Sequence, residues 1–161
     1  MSEAAKPTSR RPARLADFLP YQLSIASNAV SDRIAAAYRI RFGLKVPEWR
    51  LMAVLGDIAG AAREGATQRE LSALTLMDKV AVNRACKVLE ERGLIARQPN
   101  AADGRSHHLA LTAEGKALYE EIMPLAAELE AQLLDGFSEQ ELHLLRDLLA
   151  RMRARAEAVS S

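Results

Sequence analysis

The chain has 161 residues, and its 22 lysine and arginine side chains nearly balance its 21 aspartate and glutamate side chains. This length suits one domain or two closely integrated domains, and a formal net charge of +1 by itself indicates no particular partner. The single cysteine, Cys86, excludes an internal disulfide and a multi-thiolate metal site, and no apolar run approaches the roughly 20 residues of a membrane span.

The first third of the chain predicts a polar arm followed by two helices. Residues 1–14 are small, polar and basic, which indicates a disordered arm whose arginines either stay solvated or contact a DNA backbone. The arm lacks the apolar core of a signal peptide, so we expect a cytoplasmic protein. Apolar side chains recur at helical spacing over residues 17–42, where Pro20 marks a candidate break and Gly43 a stop. Pro47 fits the start of a second helix.

The centre of the chain predicts a helix-turn-helix. Thr67 and Glu70 have the spacing of a capping box, in which each side chain satisfies a free N–H group at a helix start, so a short third helix begins here. A fourth helix is predicted over residues 78–92, because Asp78 can cap its first turn and Gly93 can adopt the left-handed conformation after its end. Two helices in this order are typical of DNA-binding proteins.

The fourth helix has one apolar side and one side with hydrogen-bond donors. In the DNA major groove, arginine can bind guanine, asparagine can pair with adenine, and a small apolar side chain can touch the thymine methyl group. An ordinary amphipathic helix with a solvated basic face is the alternative, but the position between a capped helix and a candidate wing favours DNA recognition. The predicted DNA-binding residues of the two helices are Gln68, Lys79, Val80, Ala81, Asn83, Arg84 and Lys87.

A β-wing is predicted after the fourth helix. Residues 94–97 and 107–111 have the character of two short strands, with alternate leucines of the second strand pointing inward. Between them, Gly104 suits a tight turn, which leaves Arg105 available to a narrow minor groove while Asp103 orients its guanidinium. A plain hairpin turn with an aspartate cap is the alternative for the tip.

Charge is distributed unevenly around this region. The segment 79–105 contains six positive and three negative side chains, whereas the segment 112–135 contains one positive and six negative side chains. A basic centre beside an acidic helix indicates one side that faces a polyanion.

Two helices are predicted at the C-terminus. After Thr112, five apolar residues recur three or four positions apart and form a stripe suited to helix packing, although Pro124 should kink this helix. Ser138 and Glu141 have the spacing of a second capping box and open the last helix. The stripe consists of Leu118, Ile122, Leu125, Leu129 and Leu133, and the last helix carries Leu142, Leu145, Leu149 and Met152.

The chain resembles the MarR family of transcriptional regulators. The resemblance rests on the segments LKVPEWRLMAVL, TQRELSALTLMDKVAVNRACKVLEERGLIAR and ADGRSHHLALTAEG, and on the helices at both ends. It implies a mainly α fold with a small β-wing, in which a winged helix-turn-helix over 47–112 binds double-stranded operator DNA. Residues 15–46 and 113–161 would form the interlocked helices of a homodimer. In the family a polar cap is usual at the position of Val46, which would weaken that helix start.

The resemblance also implies a repressor that a small aromatic or anionic molecule releases from DNA. That ligand would occupy a crevice between the dimer helices and the winged domain. The candidate residues are Tyr21, Ser24, Asn28, Trp49 and Met52. The alternative places Trp49 and Met52 in the core and Tyr21 at the dimer interface.

Other chemistry finds little support in the sequence. Cys86 falls on the apolar side of the fourth helix, so we interpret it as a structural thiol rather than a redox sensor. His107 and His108 are adjacent and would face opposite sides of a strand, so we expect no metal site and no cofactor. No catalytic arrangement stands out, and we expect no enzyme. A helical dimeric module that binds protein instead of DNA remains the alternative function.

Overall fold

The computed structural model describes residues 14–99 and 107–159, which form helices and one antiparallel pair of strands. This architecture confirms the predicted mainly α fold with a small β-wing. After a short 3-10 turn at Leu15–Asp17, the elements are α1 (Leu19–Phe42), α2 (Val46–Gly60), α3 (Gln68–Thr75), α4 (Lys79–Glu91), β1 (Ile95–Pro99), β2 (His107–Leu111), α5 (Ala113–Leu133) and α6 (Glu139–Val159). None of these helices has the length and apolarity that a membrane span requires.

The chain forms two compact units, with the boundary between Met123 and Pro124. The boundary falls inside α5, which continues to Leu133, so Pro124 does not end this helix. In the first unit, α2 packs against α3, α4 and β2, and it therefore forms the centre of the core. The fully buried side chains of this core include Leu51, Met52, Leu55, Leu71, Val82, Cys86, Leu89 and Leu109.

Most helix ends follow local rules that the sequence already indicated. Thr67 and Glu70 form the predicted capping box, with Thr67 N–H donating to the Glu70 carboxylate at 2.7 Å and Glu70 N–H donating to the Thr67 hydroxyl at 3.2 Å. Asp78 caps α4, and Gly43 and Gly93 adopt the left-handed conformation with φ of 63° and 69°. These four predictions are confirmed.

The starts of α1 and α2 correct two predictions. Helix α1 begins at Leu19, so Pro20 lies in its first turn, where a missing N–H group costs nothing, and does not break the helix. Helix α2 has Lys45 rather than Val46 at its N-cap. The backbone N–H of Lys45 donates to the Glu48 carboxylate at 2.8 Å. This hydrogen bond stabilises the start of the helix without a polar side chain at position 46.

The turn between α3 and α4 contains a feature that the sequence did not reveal. Leu76 adopts a left-handed conformation with φ of 52°, which is uncommon for a residue with a branched side chain. The hydroxyl of Ser72 donates to the carbonyl of Met77 at 2.6 Å and fastens the turn to the preceding helix. This turn sets the direction in which α4 leaves α3.

In the second unit, α6 follows the end of α5. Ser138 and Glu141 form the predicted capping box, with two bonds of 2.8 Å and 3.2 Å that involve the backbone N–H groups of the two residues. No side chain of α6 is buried within the described chain. Its large exposed apolar side chains are Leu144, Leu145, Leu148, Leu149, Met152 and Val159.

Candidate nucleic-acid interface

Helix α4 separates its apolar and polar residues onto opposite sides. Val82, Ala85, Cys86 and Leu89 are buried against the core of the first unit. The remaining surface of the helix faces outward and has Val80, an apolar side chain that is 58% exposed, in its first turn. Of the predicted DNA-binding residues on α4, Ala81 is half-buried, and the exposed ones are Lys79, Val80, Asn83, Arg84 and Lys87.

The first turn of α4 is held by its cap. The carboxylate of Asp78 accepts a hydrogen bond from the N–H group of Ala81 at 2.8 Å. Because this cap fixes the start of the helix, it fixes the direction of the side chains that follow in the first two turns. These N-terminal turns are the part of a recognition helix that lies nearest to base edges.

Gln68 approaches α4 from the start of α3. Its Nε2 atom donates a hydrogen bond to Oδ1 of Asn83 at 3.4 Å. The capping box beside it lowers the pKa of Glu70, mainly because the carboxylate accepts the Thr67 N–H, with a further contribution from the Arg63 guanidinium at 3.2 Å. The structure thus brings together Gln68 and Asn83, two of the predicted DNA-binding residues, from different helices.

Two of the six positive side chains in the basic segment are exposed but are already engaged in contacts within the fold. Arg92 donates to the carbonyls of Phe42 and Gly43 at 2.8 and 3.1 Å, and so caps the end of α1. Arg97 forms an ion pair with Glu90 at 2.6 Å, and this bond raises the pKa of the guanidinium. Counting charges along the sequence therefore did not reveal which positive side chains also have partners within the fold.

The base of the wing is well anchored. The strands β1 and β2 pair in antiparallel register from Ile95 opposite Leu111 to Pro99 opposite His107. Ala66 adds two backbone hydrogen bonds to Leu109, at 2.8 and 3.0 Å, on the other edge of β2. Asp103 and Arg105 of the predicted tip lie outside the described residues, so their roles stay predictions.

The five candidate ligand residues have two kinds of surroundings. Trp49 lies between two tyrosine rings, with its ring centroid 4.9 Å from that of Tyr38 and 6.1 Å from that of Tyr119. Burial raises the pKa of Tyr38. Met52 is fully buried, whereas Tyr21, Ser24 and Asn28 lie on the exposed first half of α1. A ligand-binding role for these residues stays a prediction.

Cys86 is fully buried, as its position on the apolar side of α4 predicted. Burial raises the pKa of its thiol, although a hydrogen bond from Gln68 acts in the opposite direction. The reactive form of cysteine is the thiolate, so a raised pKa and a buried sulfur both slow oxidation. The surroundings of Cys86 favour a structural role.

We expect peroxide to leave DNA binding by this protein unchanged, because the buried thiol stays protonated at neutral pH. Cys86→Ser should lower the free energy of unfolding by about 1–3 kcal/mol, since it buries a hydroxyl group in an apolar site. Urea denaturation measures the stability change, and a DNA-binding titration before and after peroxide measures the redox response. Release of the parent by peroxide with no response in Cys86→Ser would instead identify a redox sensor.

Comparison with known proteins connects this geometry to one family. A family model described as "MarR family" matches residues 42–106, which include α2, α3, α4 and β1. The MarR/EmrR family transcriptional regulator from Acinetobacter sp. ADP1 is 30% identical to this chain. Its structure superposes with a TM-score of 0.80 over 90% of this chain and 99% of its own.

Two structures of lower identity share the fold. The MarR-family regulator from Listeria monocytogenes, solved as a complex with a 26mer DNA, is 23% identical with a TM-score of 0.73 over 85% of this chain and 87% of its own. CouR from Rhodococcus jostii RHA1, solved with p-coumaroyl-CoA, is 24% identical with a TM-score of 0.76 over 87% of this chain and 94% of its own. With 30% identity to the Acinetobacter protein over nearly its whole length, the chain belongs to the MarR family of DNA-binding transcriptional regulators.

Proposed function

We propose that this regulator is a homodimeric repressor that places α4 of each subunit in a major groove of operator DNA. The observation that carries the proposal is the exposed set of donors on α4, held by the Asp78 cap beside α3 and the wing. Residues 47–112 would form the DNA-binding domain, with residues 15–46 and 113–161 forming the dimer. A protein that acts on an operator works where the DNA is, so we place it in the cytoplasm, and the function requires no catalysis.

The regulator's response to a ligand forms the second part of the proposal. One protein of the same fold was solved with 26mer DNA, and another was solved with p-coumaroyl-CoA, an aromatic molecule with negative charges. These complexes support operator binding and release by a small aromatic or anionic ligand as the paired functions of this chain. The exposed Tyr21, Ser24 and Asn28 and the aromatic Trp49 are the residues we propose for ligand contact, with Met52 behind them.

A titration of the full-length protein with the DNA upstream of its own coding sequence tests operator binding. We expect specific binding with half-sites about 10 base pairs apart, because each recognition helix occupies one major groove on the same face of the duplex. The affinity should fall steeply as salt rises, because lysine and arginine displace counterions from the phosphates. Binding that ignores salt, or no binding to any promoter-proximal duplex, would contradict the proposal.

Two arginine variants in the same titration separate base contacts from backbone contacts. Arg84 lies on the exposed side of α4, so Arg84→Ala should cost about 1–3 kcal/mol on the preferred operator and relax sequence preference. Arg105→Ala should weaken binding more evenly across sequences, because a wing arginine reads groove shape and phosphate. Equal loss of discrimination in both variants would refute this division.

A further inference from the structure

We propose that Gln68 is a positioning residue that turns the side-chain amide of Asn83 and thereby decides which base atoms Asn83 can read. This inference rests on the proposed placement of α4 in the major groove. Gln68 would therefore affect base recognition by orienting Asn83, in addition to any contact of its own with DNA.

The hydrogen bond between the two side chains gives the direction of the amide. Nε2 of Gln68 is the donor and Oδ1 of Asn83 is the acceptor, at 3.4 Å. An asparagine amide has one acceptor oxygen and one NH₂ donor group, and a rotation of 180° exchanges their places. With Oδ1 directed at Gln68, the Nδ2 group is the part of the amide left for a base.

The position of Gln68 is itself fixed by its neighbours. It is the first residue of α3, directly after the Thr67 cap whose hydroxyl and N–H group are both bonded to Glu70. Its side chain is half-buried, and it lowers the pKa of the Cys86 thiol, against the larger effect of burial, so Gln68 lies close to the inner side of α4 as well. The cap and this partial burial limit the directions in which the Gln68 amide can point.

The direction of the amide has a chemical consequence in the major groove. There, guanine presents two acceptors, N7 and O6, and thymine presents the acceptor O4, whereas cytosine presents only the donor N4 and adenine presents the donor N6 beside the acceptor N7. An outward Nδ2 group donates and therefore favours the keto bases guanine and thymine, and it disfavours cytosine most. This preference differs from the pairing with adenine that asparagine alone suggested, in which Oδ1 and Nδ2 both face the base.

The length of the bond limits the size of the effect. At 3.4 Å, the bond is longer than the usual range of about 2.7–3.2 Å, and Asn83 is exposed to competing water. We therefore expect a discrimination of roughly three- to tenfold at one base pair of each half-site, which is close to the low end for a good bidentate pair.

The test selects duplexes from a randomised DNA library with the full-length parent and then measures affinities for all four base pairs at each position. Asn83→Ala identifies the position that Asn83 reads, because the preference there disappears. Gln68→Ala should lose base preference at the same position and keep it elsewhere. Because Gln68 acts through Asn83, the variant that combines both changes should lose no more base preference than Asn83→Ala alone. Arg69→Ala, one residue further along α3, is the reference for general weakening, because the loss of a positive charge should weaken binding to all sequences alike.

Gln68→Glu gives the sharpest arm of the experiment. A carboxylate only accepts, so it should attract Nδ2 of Asn83 and turn Oδ1 toward the bases, which shifts the preferred base from guanine or thymine to adenine or cytosine. The added negative charge weakens binding to all four duplexes alike and cancels in their ratio. Thermal unfolding of each variant confirms that the half-buried position tolerates the change.

Three results would overturn the inference. These are a parental preference for adenine or cytosine at the Asn83 position, a loss in Gln68→Ala that is equal for all four base pairs, or an unchanged preference in Gln68→Glu. If the parent enriches no duplex at all, the proposed function itself is wrong and the inference falls with it. The two failures are therefore distinguishable in the first step of the experiment.

Discussion

Gly115→Ala is expected to lower the free energy of unfolding of the first unit by about 3 kcal/mol or more, at the upper end of overpacking effects. A Cβ atom at this position would overlap the carbonyl oxygen of Leu94 and lie 2.9 Å from its carbonyl carbon and 3.3 Å from Cδ2 of Leu111. The gain in helix propensity from glycine to alanine, at most about 1 kcal/mol, does not offset this overlap.

The backbone at Leu94 has little freedom to retreat. Its carbonyl accepts the N–H group of Thr112 at 3.1 Å, and its own N–H group donates to Leu89 at 2.9 Å. The Thr112 hydroxyl adds a bond to the Gly93 carbonyl at 2.6 Å. The start of α5 is thereby joined to the segment that links α4 to the wing, and separation of the two would cost these bonds.

Urea denaturation of Gly115→Ala, with Gly60→Ala as the matched control, measures the effect. Gly60 is also helical, but a Cβ atom there meets nothing within 4 Å, so its replacement should stabilise by up to about 1 kcal/mol. We also expect Gly115→Ala to lose operator affinity, because it disturbs the connection between α4 and the wing. Equal stability of the two variants would show that the close approach at Gly115 is unimportant.

Features that depend on a few neighbouring residues were predictable from the sequence. The Thr67–Glu70 box, the Asp78 cap and the left-handed Gly43 and Gly93 each arise from side chains within four positions of the helix end. Hydrophobic spacing likewise identified the buried side of α4, because only one side of a helix can face the core. These local rules located the helices and most of the predicted recognition surface.

Features that depend on distant residues were not predictable. Position 115 must be glycine because the carbonyl of Leu94, 21 positions earlier, leaves no room for a Cβ atom. Arg92 bonds to carbonyls 49 and 50 positions away, so neither contact has a local signature in the sequence. The hydrogen bond between Gln68 and Asn83 spans 15 positions and depends on the left-handed Leu76 in the turn between their helices. The sequence identified both amides as candidates for DNA contact, but it gave no reason to expect one to orient the other.

The Arg92 contact also links the element proposed for dimerisation to the element proposed for DNA recognition. It joins the last carbonyls of α1, a proposed dimer helix, to the end of α4, the proposed recognition helix. Cations near a helix C-terminus are stabilised by its partial negative charge, which strengthens this junction. A shift of α1 in the dimer would therefore be transmitted to α4, and the spacing of the two recognition helices would change with it.

Truncation after Asp135 is expected to abolish dimerisation and to lower operator affinity by about 100-fold or more, because each half-site must then be bound independently. The truncation removes α6, none of whose side chains is buried in the single chain. The first half of α1 is also exposed, including Leu19, Leu23 and Ile25. Apolar surfaces of this kind mark association sites, and we propose that a second copy of the chain covers them, with obligate dimers burying more than about 2,000 Å².

A pair of full-length variants keeps this prediction separate from a failure to fold. Leu145→Glu combined with Leu149→Glu places two charges on the exposed apolar face of α6, whereas Gln140→Glu adds one charge in its first turn, where a helix favours a negative side chain. Sedimentation equilibrium should find a monomer for the double variant and a dimer for the control, and only the control should keep the parental affinity for the operator. A double variant that stayed a dimer would show that the apolar face of α6 does not form the interface. A folded monomeric double variant that bound the operator as tightly as the parent would show that operator binding does not depend on the dimer, because one recognition helix would then suffice.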